Sequence, residues 1–172
     1  MRHSLRPRLT AIAPSTAEVV RCAGGWLFDQ VLAGWDVTVV AVEMGDTRPL
    51  EILGVRAREL DVICANPILG PCLQSIAVRT DLYDADERVR GLVLAATEAG
   101  GAEIRLWGDV WPEDFDGRAD SVSHRLSLAA RAFKAQAMAA ADLPGEPAAD
   151  TEVFRRGEFI RPKLVPATLQ NA

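Results

Sequence analysis

Residues 23–46 read AGGWLFDQVLAGWDVTVVAVEMGD, and the reading of this stretch decides the fold. Val37-Thr38-Val39-Val40-Ala41-Val42 is a nearly continuous β-branched run. A strand with one wet face alternates apolar and polar residues, so an unbroken run predicts a strand covered on both faces. Upstream, Val19, Val20, Ala23, Trp26, Leu27, Val31 and Leu32 recur at helical spacing. Ala33-Gly34 closes that helix before Trp35-Asp36 opens the strand. Helix, glycine stop and apolar strand make half of a right-handed crossover unit.

Working outward, Leu9 to Ala13 predicts a short first strand stopped by Pro14. Ser15 or Thr16 can cap the helix that follows, and Glu18 falls in its first turn, where a carboxylate suits the helix dipole. Beyond the central strand, residues 47–53 predict a short helix stopped by Gly54, and residues 55–60 a weaker strand. The loop NPILGP (66–71) precedes a strand at 74–80, and Asp81 or Asp84 caps a helix over 84–99. Gly100-Gly101 ends it, and EIRLW (103–107) is the next strand. An acidic loop over 108–121 leads to a helix over 122–141, placing His124, Arg131 and Lys134 on one face of that helix. Residues 152–160 predict an edge strand. Strands separated by single amphipathic helices imply helices on both faces of a mainly parallel sheet of four or five strands. The expected organisation is a single α/β domain over 1–172, with a mobile basic arm (1–8), a linker (142–151) and a loose tail (162–172).

Composition narrows the partners. A net charge of −5 disfavours nucleic acid and acidic membrane surfaces. No apolar run is long enough to cross a bilayer, and no hydrophobic segment follows the basic N-terminus, so a cytoplasmic protein is expected. Cys22, Cys64 and Cys72 lack the paired spacing of a zinc site and are expected as reduced thiols.

In an open α/β sheet, ligands sit beyond the carboxyl ends of the strands, where the strand order reverses. The candidate rim residues are Ser15, Glu18, Asp46, Asp81, Trp107, Asp109 and His124. Gly24-Gly25 lies inside a helical pattern and is not a dinucleotide fingerprint, and no P-loop is present. Asp114-Phe115-Asp116-Gly117 lacks the spacing of a calcium loop.

Ala13-Pro14-Ser15-Thr16-Ala17-Glu18, then Ala23-Gly24-Gly25, then Gly34-Trp35-Asp36-Val37-Thr38-Val39-Val40 resemble, in their order, the LmbE-like (PIG-L) N-acetylglucosaminyl deacetylases. Lys134-Ala135-Gln136 and Glu152-Val153-Phe154 are similar to that family's closing helix and strand. The resemblance implies a Rossmann-like three-layer fold and a zinc hydrolase. It also implies that the histidine ligand and the two aspartates are replaced here by Pro14, Thr16 and Ala17, with only Glu18 matching. No metal and no cofactor are therefore expected. The expected function is non-catalytic: binding of a protein partner or a small polar ligand, at the rim or through helix 122–141. Eight alanines between Ala129 and Ala141 further suggest a homodimer through that helix. The alternative is a hydrolase-like enzyme on a small polar metabolite, using Asp46, Asp109 and His124.

Overall fold

The computed structural model describes residues 6–65, 73–118, 120–143 and 149–160. Strand β1 (Arg8–Ser15) leads into helix α1 (Thr16–Leu32), β2 (Asp36–Glu43), α2 (Arg48–Ile52), β3 (Arg56–Glu59) and α3 (Leu60–Ala65). There follow β4 (Leu73–Arg79), α4 (Thr80–Ala85), α5 (Glu87–Gly100), β5 (Glu103–Trp107), β6 (Ser121–Arg125), α6 (Leu128–Ala140) and β7 (Thr151–Gly157). The strands form one sheet in the order β3-β2-β1-β4-β5-β7-β6. β1 to β5 pair in parallel, whereas β7 pairs antiparallel with β5 and with β6. The sheet is therefore mixed and seven-stranded, not a mainly parallel sheet of four or five strands.

Alternate residues of each central strand enter opposite cores, which explains the unbroken apolar runs. Ala11, Val37, Val39 and Ala77 face the core under α1, α2 and α6. Ile12, Val40, Ile76 and Val78 face the core under α3 and α5. Val39 is wholly buried, but Val42 is 41 % exposed, so double cover ends before β2 does. Helix starts follow local chemistry. Ser15 accepts a hydrogen bond from the Glu18 N–H at 3.3 Å, and Ser127 from the Ala130 N–H at 3.0 Å. Asp86, not Asp81 or Asp84, caps α5 by accepting from the Arg88 N–H at 2.9 Å. The two earlier aspartates belong to the short helix α4, which ends at Ala85.

Two expectations fail in the second half. Residues 121–125 are strand rather than the start of a helix, so His124 lies on β6 and not beside Arg131 and Lys134. β7 is not an edge strand: it runs between β5 and β6, with Phe154 buried on its inner face. Arg8 belongs to β1, which shortens the expected basic arm; residues 1–5, the 66–71 loop, most of the linker (144–148) and the 162–172 tail lie outside the described residues. No helix of the described residues is long and apolar enough to cross a membrane.

The sheet closes on α1 through a buried ion pair. Lys134 Nζ lies 2.7 Å from Glu152 Oε2, and each side chain is 2 % exposed. Glu152 accepts from the backbone N–H groups of Gly25 (3.1 Å) and Trp26 (2.6 Å), while Lys134 donates to the Arg21 carbonyl at 2.7 Å. Arg21 C=O and Gly25 N–H are the two halves of one ordinary i→i−4 helical step. The pair thus engages both halves of a single turn of α1. Gly25 also lets Leu126 pack directly on this turn, since a Cβ there would stand 2.1 Å from Leu126 Cδ2.

Candidate active site at the strand ends

The strand order reverses between β1 and β4, because the chain runs outward from β1 to β3 and then returns to the other side. The crevice at that reversal is where α/β sheets place ligands. Its two walls are the start of α1 after β1 and the Arg79-Thr80-Asp81 corner after β4.

An arginine occupies the crevice. Arg79 Nη1 is in contact with Glu18 Oε1, and Arg79 Nη2 lies 2.9 Å from Asp81 Oδ2. Glu18 also receives Arg21 Nη2 at 2.6 Å and the Cys22 thiol at 3.3 Å. Glu18 and Arg79 are mostly shielded, their side chains 13 % and 18 % exposed. Gly108, at φ +129°, lets the β5 corner close over this group: a Cβ there would meet Thr80 Oγ1 at 2.3 Å and Arg79 Nε at 3.2 Å. Arg79 Nε is buried without a hydrogen-bond partner among the described residues.

Beside the cluster, beyond the ends of β4 and β5, opens a cavity of about 670 Å³. Arg21, Arg79, Trp107, Asp109, Trp111 and Arg155 contribute to its wall, and the Lys134–Glu152 pair lies at its base toward α1. Arg155 stacks over the Trp111 ring at 5.3 Å. Asp109 is exposed and has no salt-bridge partner among the described residues. Burial pushes the Glu152 carboxyl up, and Lys134 with the two N–H groups of α1 pulls it back only in part. Burial likewise pushes the Cys22 thiol up, so the thiolate needed for nucleophilic attack is scarce at neutral pH.

The expected rim divides. Trp107 and Asp109 line the cavity, Asp81 and Glu18 hold Arg79, and Ser15 and Asp46 border a smaller hollow of about 290 Å³ between α1 and the β2–α2 loop. Asp46 there accepts from the Arg48 N–H at 2.9 Å.

His124 sits away from all of these, bound through Nε2 to Asp29 Oδ2 at 2.8 Å. Ser127 Oγ donates to Asp29 Oδ1 at 2.5 Å and its N–H to Oδ2 at 3.1 Å. A catalytic triad needs serine on histidine. Here both groups bind the carboxylate, and Ser127 also caps α6, so the trio fastens α6 to α1. Burial raises the Asp29 carboxyl, but the bonds from Ser127 and His124 outweigh it and hold the carboxyl below its ordinary 3.8. A depressed carboxyl stabilises the fold above its unfolded-state value and loses that contribution as pH falls through the folded one. Asp29→Asn is therefore expected to melt below the wild type at pH 7, with the difference shrinking as pH drops below 3.8. Melting curves across pH check this; a difference that stays constant to pH 2.5 contradicts it.

Arg79, Arg21 and Arg155 were not singled out by the sequence reading, and Lys134 and Glu152 entered it only as matches to the family's closing helix and strand, not as a buried ion pair. Two signals were available. Arg79 is the last residue of an apolar strand, one step before the expected rim, and Lys134 falls in the buried series Ala130, Lys134, Ala137, Met138 at i, i+4, i+7 and i+8.

No family model matches the chain, and no curated protein matches it. Solved structures do. The A40926 pseudoaglycone deacetylase Dbv21 superposes with a TM-score of 0.67 at 16% identity, over 92% of this chain and 100% of that one. The zinc-inhibited form of the teicoplanin deacetylase Orf2 gives 0.65 at 14%, over 89% and 98%. The chain resembles the LmbE-like deacetylases. At this identity the likeness establishes the fold, and the same fold carries other chemistry: a 4-carboxy-2-hydroxymuconate hydratase, GalB, from Pseudomonas putida gives 0.51 at 12%, over 90% and 97%. These neighbours are enzymes, which overturns the expectation of a non-catalytic binding protein in favour of its hydrolase-like alternative.

Zinc does not fit the crevice. Among the described residues no three or more His, Cys, Asp or Glu side chains gather as a metal could use them. Glu18, the one matching acid, is bound by two guanidiniums, and Thr16 turns its hydroxyl to the Met44 carbonyl.

Proposed function

We propose that this chain is a hydrolase-like enzyme acting on a small polar substrate held in the cavity beyond β4 and β5. What supports the reading is the cavity itself, placed beside the reversal of strand order on a fold that deacetylases share. The doubly covered sheet suits a three-layer, Rossmann-like description of that fold. Trp107 and Trp111 offer flat apolar walls and Arg155 a guanidinium for a polar substituent. Asp109 is the carboxylate that, free of salt bridges among the described residues, takes a proton from an attacking water as the water oxygen bonds to the acyl carbon and the carbonyl π pair moves onto its oxygen. When that pair returns, the acyl C–N or C–O bond breaks and Asp109 gives the proton to the leaving nitrogen or oxygen. His124 and Asp46 have no part in this, since Asp29 and the β2–α2 loop hold them elsewhere.

The test is acid release from a panel of N-acetyl amino sugars, N-acetyl amino acids and small esters. On any substrate turned over, Asp109→Asn is expected to lower kcat by about 10²-fold while KM and the melting midpoint stay near those of the wild type. A panel with no turnover, or turnover that Asp109→Asn leaves intact, rejects the proposal.

A further inference from the structure

The crevice between β1 and β4 is the place on this fold where the resemblance puts a metal, and an arginine fills it. Three observations converge there. The sole acid of the Pro14–Glu18 stretch contacts Arg79 Nη1 and lies 2.6 Å from Arg21 Nη2. The acid of the opposite wall, Asp81, holds the other terminal nitrogen of the same guanidinium at 2.9 Å. A Cβ at Gly108 would collide with Thr80 Oγ1 at 2.3 Å and press on Arg79 Nε at 3.2 Å, so only glycine lets the β5 corner close beside this guanidinium.

A guanidinium is always charged, and its planar fork matches two carboxylates at once. A divalent cation between two carboxylates satisfies the same electrostatics with oxygen ligands at shorter range. Arg79 bridges the two carboxylates and Arg21 adds a second guanidinium on Glu18, so a divalent ion placed between the carboxylates would be repelled by both.

We infer that the Arg79 guanidinium replaces a divalent metal ion as the fixed positive charge of the crevice, clamped between Glu18 and Asp81, and that the site works without zinc. The consequence is reciprocal. The wild type refuses a divalent ion because Arg79 is already there, and removing the guanidinium leaves Asp81 without its partner and Glu18 with Arg21 alone, so two carboxylates stand against one guanidinium. Hard oxygen donors in such a pair suit calcium.

The inference concerns the crevice of the proposed hydrolase, but its readouts are metal uptake and melting midpoint, so its failure is distinguishable from failure of that activity. The experiment measures bound metal after dialysis and the midpoint of the full chain with EDTA, zinc chloride or calcium chloride, for wild type, Arg79→Met and Arg79→Lys. The wild type and Arg79→Lys are expected to hold under about 0.1 zinc per chain and to melt alike in all three conditions. Arg79→Met is expected to melt lower than the wild type in EDTA and to rise by about 3 °C or more once calcium exceeds tenfold its dissociation constant. Should Arg79→Met fail to fold, Arg79→Gln takes its place with the same readings. Stoichiometric zinc in the dialysed wild type overturns the inference. So does an uncharged variant that is as stable as the wild type and indifferent to calcium.

Discussion

Lys134→Met is expected to lower the melting midpoint by about 6–20 °C. The side chain is almost fully buried, and its ammonium serves two acceptors, Glu152 Oε2 and the Arg21 carbonyl. Methionine matches the length of the lysine stem but leaves both acceptors without their donor. Removing one member of a buried ion pair typically costs about 3–5 kcal/mol, because the remaining charge stays in low dielectric without compensation. For a chain of this size each kcal/mol moves the midpoint by about 2–4 °C, which gives the stated range. Glu152→Leu is expected to do more damage still, since it also strips the acceptor from the Gly25 and Trp26 N–H groups. Calorimetry of the two variants checks both statements. A Lys134→Met protein melting within 2 °C of the wild type would mean that water reaches this pair and that α6 does not seal it.

Val39→Asp is expected to yield no folded protein. Val39 pairs with Ala11 on β1 and Ala57 on β3, at the centre of β2, and none of its surface is exposed. An aspartate there has only apolar neighbours: the cluster on its face comprises Leu9, Val19, Ala23, Leu27, Leu50 and similar residues. Burying an unpaired carboxyl in such surroundings costs several kcal/mol whether it ionises or takes up a proton. Total stabilities of domains are about 5–15 kcal/mol, so a loss of about 5 kcal/mol or more leaves little margin. Circular dichroism and solubility decide the matter, and a soluble variant with an unchanged midpoint would place this face of β2 in solvent.

How much was legible follows from where each residue's environment writes itself into the pattern. β2 and β4 carry apolar residues on consecutive positions because both of their faces are covered, and no helical spacing competes. β6 carries no such mark. Ser121, Ser123 and Arg125 are exposed, and Val122 and His124 only half-buried, so nothing separates SVSHR from the solvated start of a helix. β7 alternates correctly, but one of its inward residues is Glu152, which disguises an interior strand as an edge. The disguise lifts only when Lys134 is seen to be buried too, and the two lie 18 residues apart. That Ser15, Asp81, Trp107 and Asp109 stand at or just past the carboxyl ends of strands was legible, because strand boundaries alone place them there. Their chemistry was not, because whether Glu18 faces a metal or an arginine depends on Arg79, 61 positions along the chain (79 − 18) and on another strand. His124 was misplaced for a related reason: its partner Asp29 lies 95 positions away.

The grip of Glu152 on α1 also sets a timetable for synthesis. Gly25 must wait for a side chain 127 residues downstream before its N–H finds that partner. At about 5–20 residues per second on the ribosome, the delay is about 6–25 s. During it, β1, α1 and β2 are already made and their apolar faces want cover, yet the turn of α1 at Arg21–Gly25 lacks the ion pair that later joins it, and β5 lacks the strand that will lie beside it. Over that interval the nascent chain carries a first helix without its buried ion pair and an open sheet edge, and the open edge invites mispairing with other nascent chains.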